Sequence, residues 1–103
     1  MSVNIEIMKS DNPVKKYKAV IQQQNGRTKT VHFGQAGASD YTKHKDNQRK
    51  QRYLNRHRNN ENWNDYTTAG FYATRILWNK PTITESIRNT NSKFKNLSIK
   101  LKT

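Results

Sequence analysis

The segment Lys43-His44-Lys45-Asp46-Asn47-Gln48-Arg49-Lys50-Gln51-Arg52-Tyr53-Leu54-Asn55-Arg56-His57-Arg58 carries seven Lys or Arg and one acid. Residues of that type at that density suit one chemistry well, the pairing of cations with phosphate oxygens. Laid on a helix at about 100° per residue, Lys45, Arg49, Arg52 and Arg56 fall within roughly 60° of one another, in a stripe about 16 Å long. A planar guanidinium can bond two phosphate oxygens at once. Four cations at helical pitch can therefore follow a sugar–phosphate strand, with Lys43, Lys50 and Arg58 in support. The bland alternative is a solvated surface helix. Such helices usually mix Glu with Lys at i,i+4 spacing, whereas the like charges here have almost no compensation. Tyr53, Leu54 and His57 fall on another side, toward a core.

Two acid–histidine pairs invite an enzyme reading. Asp40/His44 and His57/Glu61 are each four apart, so each could share a helix face and hold a divalent metal, and such a metal could cleave phosphodiesters. The chain has only 3 His, no two at ligand spacing, and His57 packs more simply beside Tyr53. The expectation is therefore no enzyme, no catalytic residue, no metal and no cofactor. His32-Phe33-Gly34-x-x-Gly37 precedes a helix start, where loop amides could hold a phosphate. The spacing is not that of a P-loop and no Gly-Lys-Ser/Thr follows, so a sharp turn is the preferred reading. Trp63, Trp78 and Phe71 could stack on bases; core packing is the commoner use, above all for Phe71 and Trp78.

The elements that would position these residues follow from periodicity. Val3-Asn4-Ile5-Glu6-Ile7 alternates like a strand with one buried face, and Asp11-Asn12-Pro13 is a turn. Strand-like runs 16–23 and 28–33 flank Asn25-Gly26, a strong hairpin signal. A two-residue turn there pairs Val20 with Val31, Lys18 with Phe33 and Ile21 with Thr30. The stretch 34–39 reads as a flexible connector. Asp40 can cap a short helical turn, and Asp46 a longer helix to about Asn59. A loop spans 63–68. The next helix, 69–78, has almost no polar face and belongs at the buried centre. Thr82-Ile83-Thr84-Glu85 matches a capping box and starts a short helix through Ile87. Leu97, Ile99 and Leu101 alternate as a last strand, with 3–7 as its neighbour.

Composition bounds the rest. The 103 residues make one domain, 1–103, with a core at about 14–90 and terminal strands at 2–8 and 96–102. The 20 Lys+Arg against 7 Asp+Glu give a formal charge of +13, and the hydrophobic fraction is 31%. Such a charge points to a polyanionic partner. The low apolar content approaches that of disordered chains, but two Trp, five Tyr and three Phe supply a small core. With no Cys, disulfides, thiolate catalysis and zinc fingers are excluded. No signal peptide is apparent, and no apolar run is long enough to span a membrane. The expected location is intracellular or intravirion, rather than secreted. The abundance of Lys, Asn and Ile, whose codons are A/T-rich, suggests an AT-rich genome.

A wider pattern runs through the chain. It comprises Val31-His32-Phe33-Gly34-x-x-Gly37-x-x-Asp40-Tyr41-Thr42-x-His44-Lys45-Asp46-x-x-Arg49-Lys50-x-x-Tyr53-x-x-Arg56-His57, then Glu61-x-Trp63, Thr68-Ala69-Gly70-Phe71 and Leu77-Trp78-x-Lys80-Pro81. From Lys16 to Ile87 this resembles a family of small basic proteins of nucleocytoplasmic large DNA viruses. The resemblance implies a giant-virus origin, with the virion or the host cytoplasm and viral factory as the expected location, and transfers no catalytic residue.

Together these readings predict an α+β domain, a β-hairpin with one or two additional strands packed by about three helices. The expected function is non-sequence-specific binding of nucleic acid, DNA before RNA, in genome packaging or the viral factory. Lys43, Lys45, Arg49, Lys50, Arg52, Arg56 and Arg58 are the candidate contacts. The rival is a structural, scaffold or minor capsid protein that meets acidic viral proteins or its own copies. A metal-dependent nuclease ranks third.

Overall fold

A computed structural model describes residues 3–23, 25–59 and 61–102. The sequence alternation becomes four strands, β1 (Val3–Lys9), β2 (Lys15–Gln22), β3 (Thr28–Gln35) and β4 (Leu97–Leu101). They form one mixed sheet in the order β3-β2-β1-β4. The first three strands make an antiparallel meander, and β4 lies parallel to β1. Helices α1 (Tyr41–His44), α2 (Asn47–His57), α3 (Ala69–Tyr72, continued by a π turn over Ala73–Leu77) and α4 (Ile83–Lys93) intervene between β3 and β4. The architecture is α+β, as the periodicities predict.

One sheet face carries the core. Val3, Ile5, Ile7, Ala19, Ile21, Val31, Phe33, Leu97 and Ile99 are buried against Phe71, Tyr72, Ile76, Leu77 and Ile87. The terminal strands are thus part of the core rather than additions to a unit at 14–90. Strand β1 is an inner strand, and five of these side chains come from β1 and β4.

The hairpin departs from its expected register by one residue. Val31 pairs with Ala19, Phe33 with Tyr17, Val20 with Thr30 and Ile21 with Lys29. The turn lies between Gln23 and Arg27: the Gln23 N–H donates to the Arg27 carbonyl (2.8 Å) and the Gly26 N–H to the Gln23 carbonyl (3.1 Å). Among the described residues there, Gly26 alone takes a positive φ, +83°. Side-chain period explains the outcome, because a one-residue slip turns every side chain to the other face. The two-residue turn would set Val20 and Lys18 beside Val31 and Phe33. The observed register instead puts Ala19 and Ile21, both fully buried, on that face.

Local hydrogen bonds fix the helix starts. Asp40, Asp46, Thr68 and Thr82 each accept a backbone N–H from the first turn that follows. Asp40 is buried and forms an ion pair with Lys16, which ties α1 to β2. The connector at 34–39 is a hydrogen-bonded turn rather than a flexible link, with the Ala36 N–H on the Val14 carbonyl and the Ala38 N–H on the Gln35 carbonyl. Helix α4 runs to Lys93, past the expected end at Ile87. Its buried positions Ser86 and Thr90 are small and polar and give no apolar periodicity. Asn91 closes the outer edge of β4, since its amide accepts from the Ile99 N–H (2.9 Å) and donates to the Ile99 carbonyl (3.0 Å). That occupies groups which an edge strand would otherwise offer to another chain.

Two glycines with positive φ face different surroundings. A Cβ on Gly26 would meet nothing within 4 Å, whereas one on Gly34 (φ +77°) would lie 2.8 Å from Leu77 Cδ1 and 3.3 Å from Lys16 Cβ. Gly26→Ala should therefore cost only the left-handed backbone penalty, about 1–2 kcal/mol. Gly34→Ala should cost distinctly more, because Leu77 is buried in a packed core and must also give way. Urea unfolding of the two variants measures the difference, and equal midpoints would refute this account of Gly34.

Candidate nucleic-acid interface

Helix α2 begins at Asn47, because Asp46 caps it by accepting from the Gln48 and Arg49 N–H groups (3.0 and 3.3 Å). Lys45 therefore lies outside it. Its backbone is left-handed (φ +55°), its N–H closes α1 on the Tyr41 carbonyl, and its ammonium donates to the Thr42 carbonyl. The four-cation stripe drawn on one continuous helix is thereby reduced to Arg49, Arg52 and Arg56. These three are exposed, and none pairs with a carboxylate among the described residues. Lys43 is exposed in the last turn of α1, and Arg58 is exposed at the C-cap of α2.

Lys50 has a different place from the one expected. Its ammonium donates to the Asn79 carbonyl (2.6 Å) and lies 5.0 Å from the centre of the Tyr41 ring. Burial holds its pKa below the ordinary lysine value, and the charges of Lys80 and Lys93 push the same way. It fastens α2 to the segment after α3 instead of projecting outward beside the arginines.

No residue of α2 is fully buried. Tyr53, Leu54 and His57 do face inward, each half-buried. Tyr53 stacks on Trp78 with ring centroids 4.1 Å apart and planes 2° from parallel, and His57 lies on Tyr53 at 4.2 Å. Burial, helped by the Glu61 charge, pushes the Tyr53 hydroxyl up to about 12. His44 approaches Trp78 at 5.3 Å, so both short helices rest on one indole. The π turn sets that indole's position: the Trp78 N–H donates to the Ala73 carbonyl five residues back. The extra residue in the turn buries Thr74, Ile76 and Leu77 and leaves Trp78 facing α2.

The arginines border two concavities. On one side a hollow of about 500 Å³ is lined by Arg49, Arg52, Asn55, Arg56 and Trp78. On the other a cleft of about 560 Å³ separates α2 from the end of the sheet, with Lys15, Arg49, Tyr53, Arg56, His57 and Glu61 among its walls. Lys15 had no sequence signal, because β2 brings it in from a distant stretch. Trp63 donates its indole N–H to Glu61 (3.0 Å), and Phe71 is fully buried; neither ring joins the arginine face.

The acid–histidine pairs have separate uses. Asp40 is held by Lys16 and Thr42, and His44 Nδ1 accepts the Asp46 N–H (2.9 Å). His57 Nδ1 and Glu61 are 3.7 Å apart. Among the described residues no three His, Asp or Glu side chains converge as a metal site, and no helix is long and apolar enough to cross a membrane.

Fold and site thus define a small basic α+β domain that displays an arginine-lined helix on its surface. The chain belongs to the family described as "Family of unknown function (DUF5754)", which its residues 5–57 match, from β1 through α2. No curated protein and no solved structure matches it.

Two predictions follow from the packing of α2. Trp78→Ala removes the surface on which α1 and α2 rest and should cost about 2 kcal/mol or more, whereas Leu54→Ala, only half-buried, should cost about 1 kcal/mol. Thermal melts that reverse this order would contradict the role given to Trp78. The second concerns pH. Desolvation, then the Arg49 charge, holds the His44 imidazole below its ordinary value, against a smaller opposing pull from Asp46 and Asp40. A depressed folded-state pKa means that the stability His44 contributes is complete above the unfolded value of about 6.5 and is lost as pH falls below it. The melting temperature should drop between pH 7.5 and 5.5. In His44→Asn, which keeps an acceptor but does not titrate, the drop should be smaller; an unchanged slope would refute the assignment.

Proposed function

We propose that this protein binds the sugar–phosphate backbone of nucleic acid, DNA before RNA, through α2 and without reading sequence. The observation that carries this reading is the exposure of Arg49, Arg52 and Arg56 on one helix face, with no carboxylate partner among the described residues. Like charges so arranged repel one another, and a polyanion relieves that repulsion. Lys43, Lys45 and Arg58, all exposed around the two ends of the helix, extend the basic surface. Lys15 adds a cation across the cleft. Lys50 is assigned to holding the helix in place. The resemblance to proteins of large DNA viruses suggests genome packaging or the viral factory as the setting.

The same surface suits an acidic protein, which is the second reading. Nucleic-acid-free protein titrated with DNA and RNA, single- and double-stranded, at 50 and 200 mM salt separates the two. Neutralising about six phosphates should lower affinity roughly a thousandfold across that range. Arg49→Gln, Arg52→Gln and Arg56→Gln should each weaken binding to all sequences alike and reduce the salt slope by about one, with folding kept because Gln is a good helix former. Salt-insensitive binding, strong sequence preference, or arginine variants that bind like the parent would defeat the proposal.

A further inference from the structure

Behind α2, on the side away from the arginines' hollow, a smaller pocket of about 170 Å³ lies between α2, α3 and α4. Its walls include Lys50, Thr74, Arg75 and Lys93, with Leu54 and the indoles of Trp63 and Trp78 as apolar surface. No lining residue is acidic. We propose that this pocket binds a single phosphate group, either the free ion or a monoester, at a site separate from the arginine face.

Three observations support it. First, three cations border the pocket without a counter-charge. Lys80 adds a fourth positive charge close enough to depress the ionisation of Lys50. Like charges gathered around a partly desolvated ammonium are unfavourable unless an anion is present. Second, donors are left over. The Lys50 ammonium has three N–H bonds and makes one hydrogen bond among the described residues, to the Asn79 carbonyl. The Thr74 hydroxyl is buried, in a residue 6% exposed, and has no hydrogen-bond partner among the described residues. It lies beside the Tyr53 hydroxyl but outside bonding geometry. A buried hydroxyl without a partner is costly, and Thr74 belongs to the wall of this pocket. Third, the site is held in place. The Arg75 Nε donates to the Trp63 carbonyl (3.1 Å), Nη2 donates to Asn64 Oδ1 (3.3 Å), and the guanidinium rests 5.0 Å from the centre of the Phe94 ring. The volume suits a tetrahedral oxyanion with a few waters, at about 30 Å³ for each water. Three helices meet at the pocket, so an anion there would also brace α2.

The test uses the full chain and inorganic phosphate. Melting temperature is followed against phosphate concentration, with sodium chloride adjusted to constant ionic strength. Phosphate should raise the melting temperature beyond the matched chloride control. Lys93→Gln, an exposed change at the end of α4, should abolish most of that rise. Lys102→Gln removes one charge elsewhere and should leave the rise intact. Competition by a 5′-phosphorylated oligonucleotide but not by its 5′-hydroxyl twin would assign the natural source to a strand end; phosphate stabilisation with neither competing would assign it to the free ion. No rise over chloride, or equal losses in Lys93→Gln and Lys102→Gln, would overturn the site. The probe is inorganic phosphate, so failure of nucleic-acid binding at the arginines would leave this result unaffected.

Discussion

The stack of Tyr53 on Trp78 holds the candidate interface to the rest of the molecule. Helix α2 has no fully buried residue and a strongly polar surface. Such a helix of 11 residues is marginal on its own in water. It persists because one indole, set by the π turn of α3, receives Tyr53 in near-parallel contact and His44 at a tilt. The Lys50 ammonium on the Asn79 carbonyl adds a polar tie at the same junction. Remove that junction and the arginines sit on a segment whose ordering would have to come from the ligand itself.

Charge is distributed in a corresponding way. The acids are few, and several are committed to structure. Asp40 caps α1 and neutralises Lys16, Asp46 caps α2, and Glu61 takes the Trp63 indole N–H and lies near His57. Arg49, Arg52 and Arg56 are consequently left without a carboxylate partner among the described residues. The acids stabilise helix starts and crossings, while surplus positive charge stays exposed on α2.

Much of the architecture was legible in the chain. Strand-like patterns located β1, β2, β3 and β4, and side-chain caps located the starts of α1, α2 and α4, because both signals depend on a few neighbouring residues. The hairpin register was not legible. Asn25-Gly26 marks a turn, yet two registers one residue apart differ only in which face Val20 and Ala19 take, and that is decided by packing against Phe71 and its neighbours. The length of α4 was hidden for a related reason, since Ser86, Thr90 and Asn91 serve tertiary contacts without apolar spacing.

For the candidate interface, the sequence by itself determined the core of the stripe. Arg49, Arg52 and Arg56 share a face because helical pitch alone brings them together. Tertiary structure decided the remainder. It removed Lys45 by a left-handed turn, drew Lys50 inward onto Asn79, and brought Lys15 to one side of α2 and Arg75 and Lys93 to the other. Those positions depend on how strands and helices far apart in the chain cross and pack, and periodicity within a segment carries no information about such crossings.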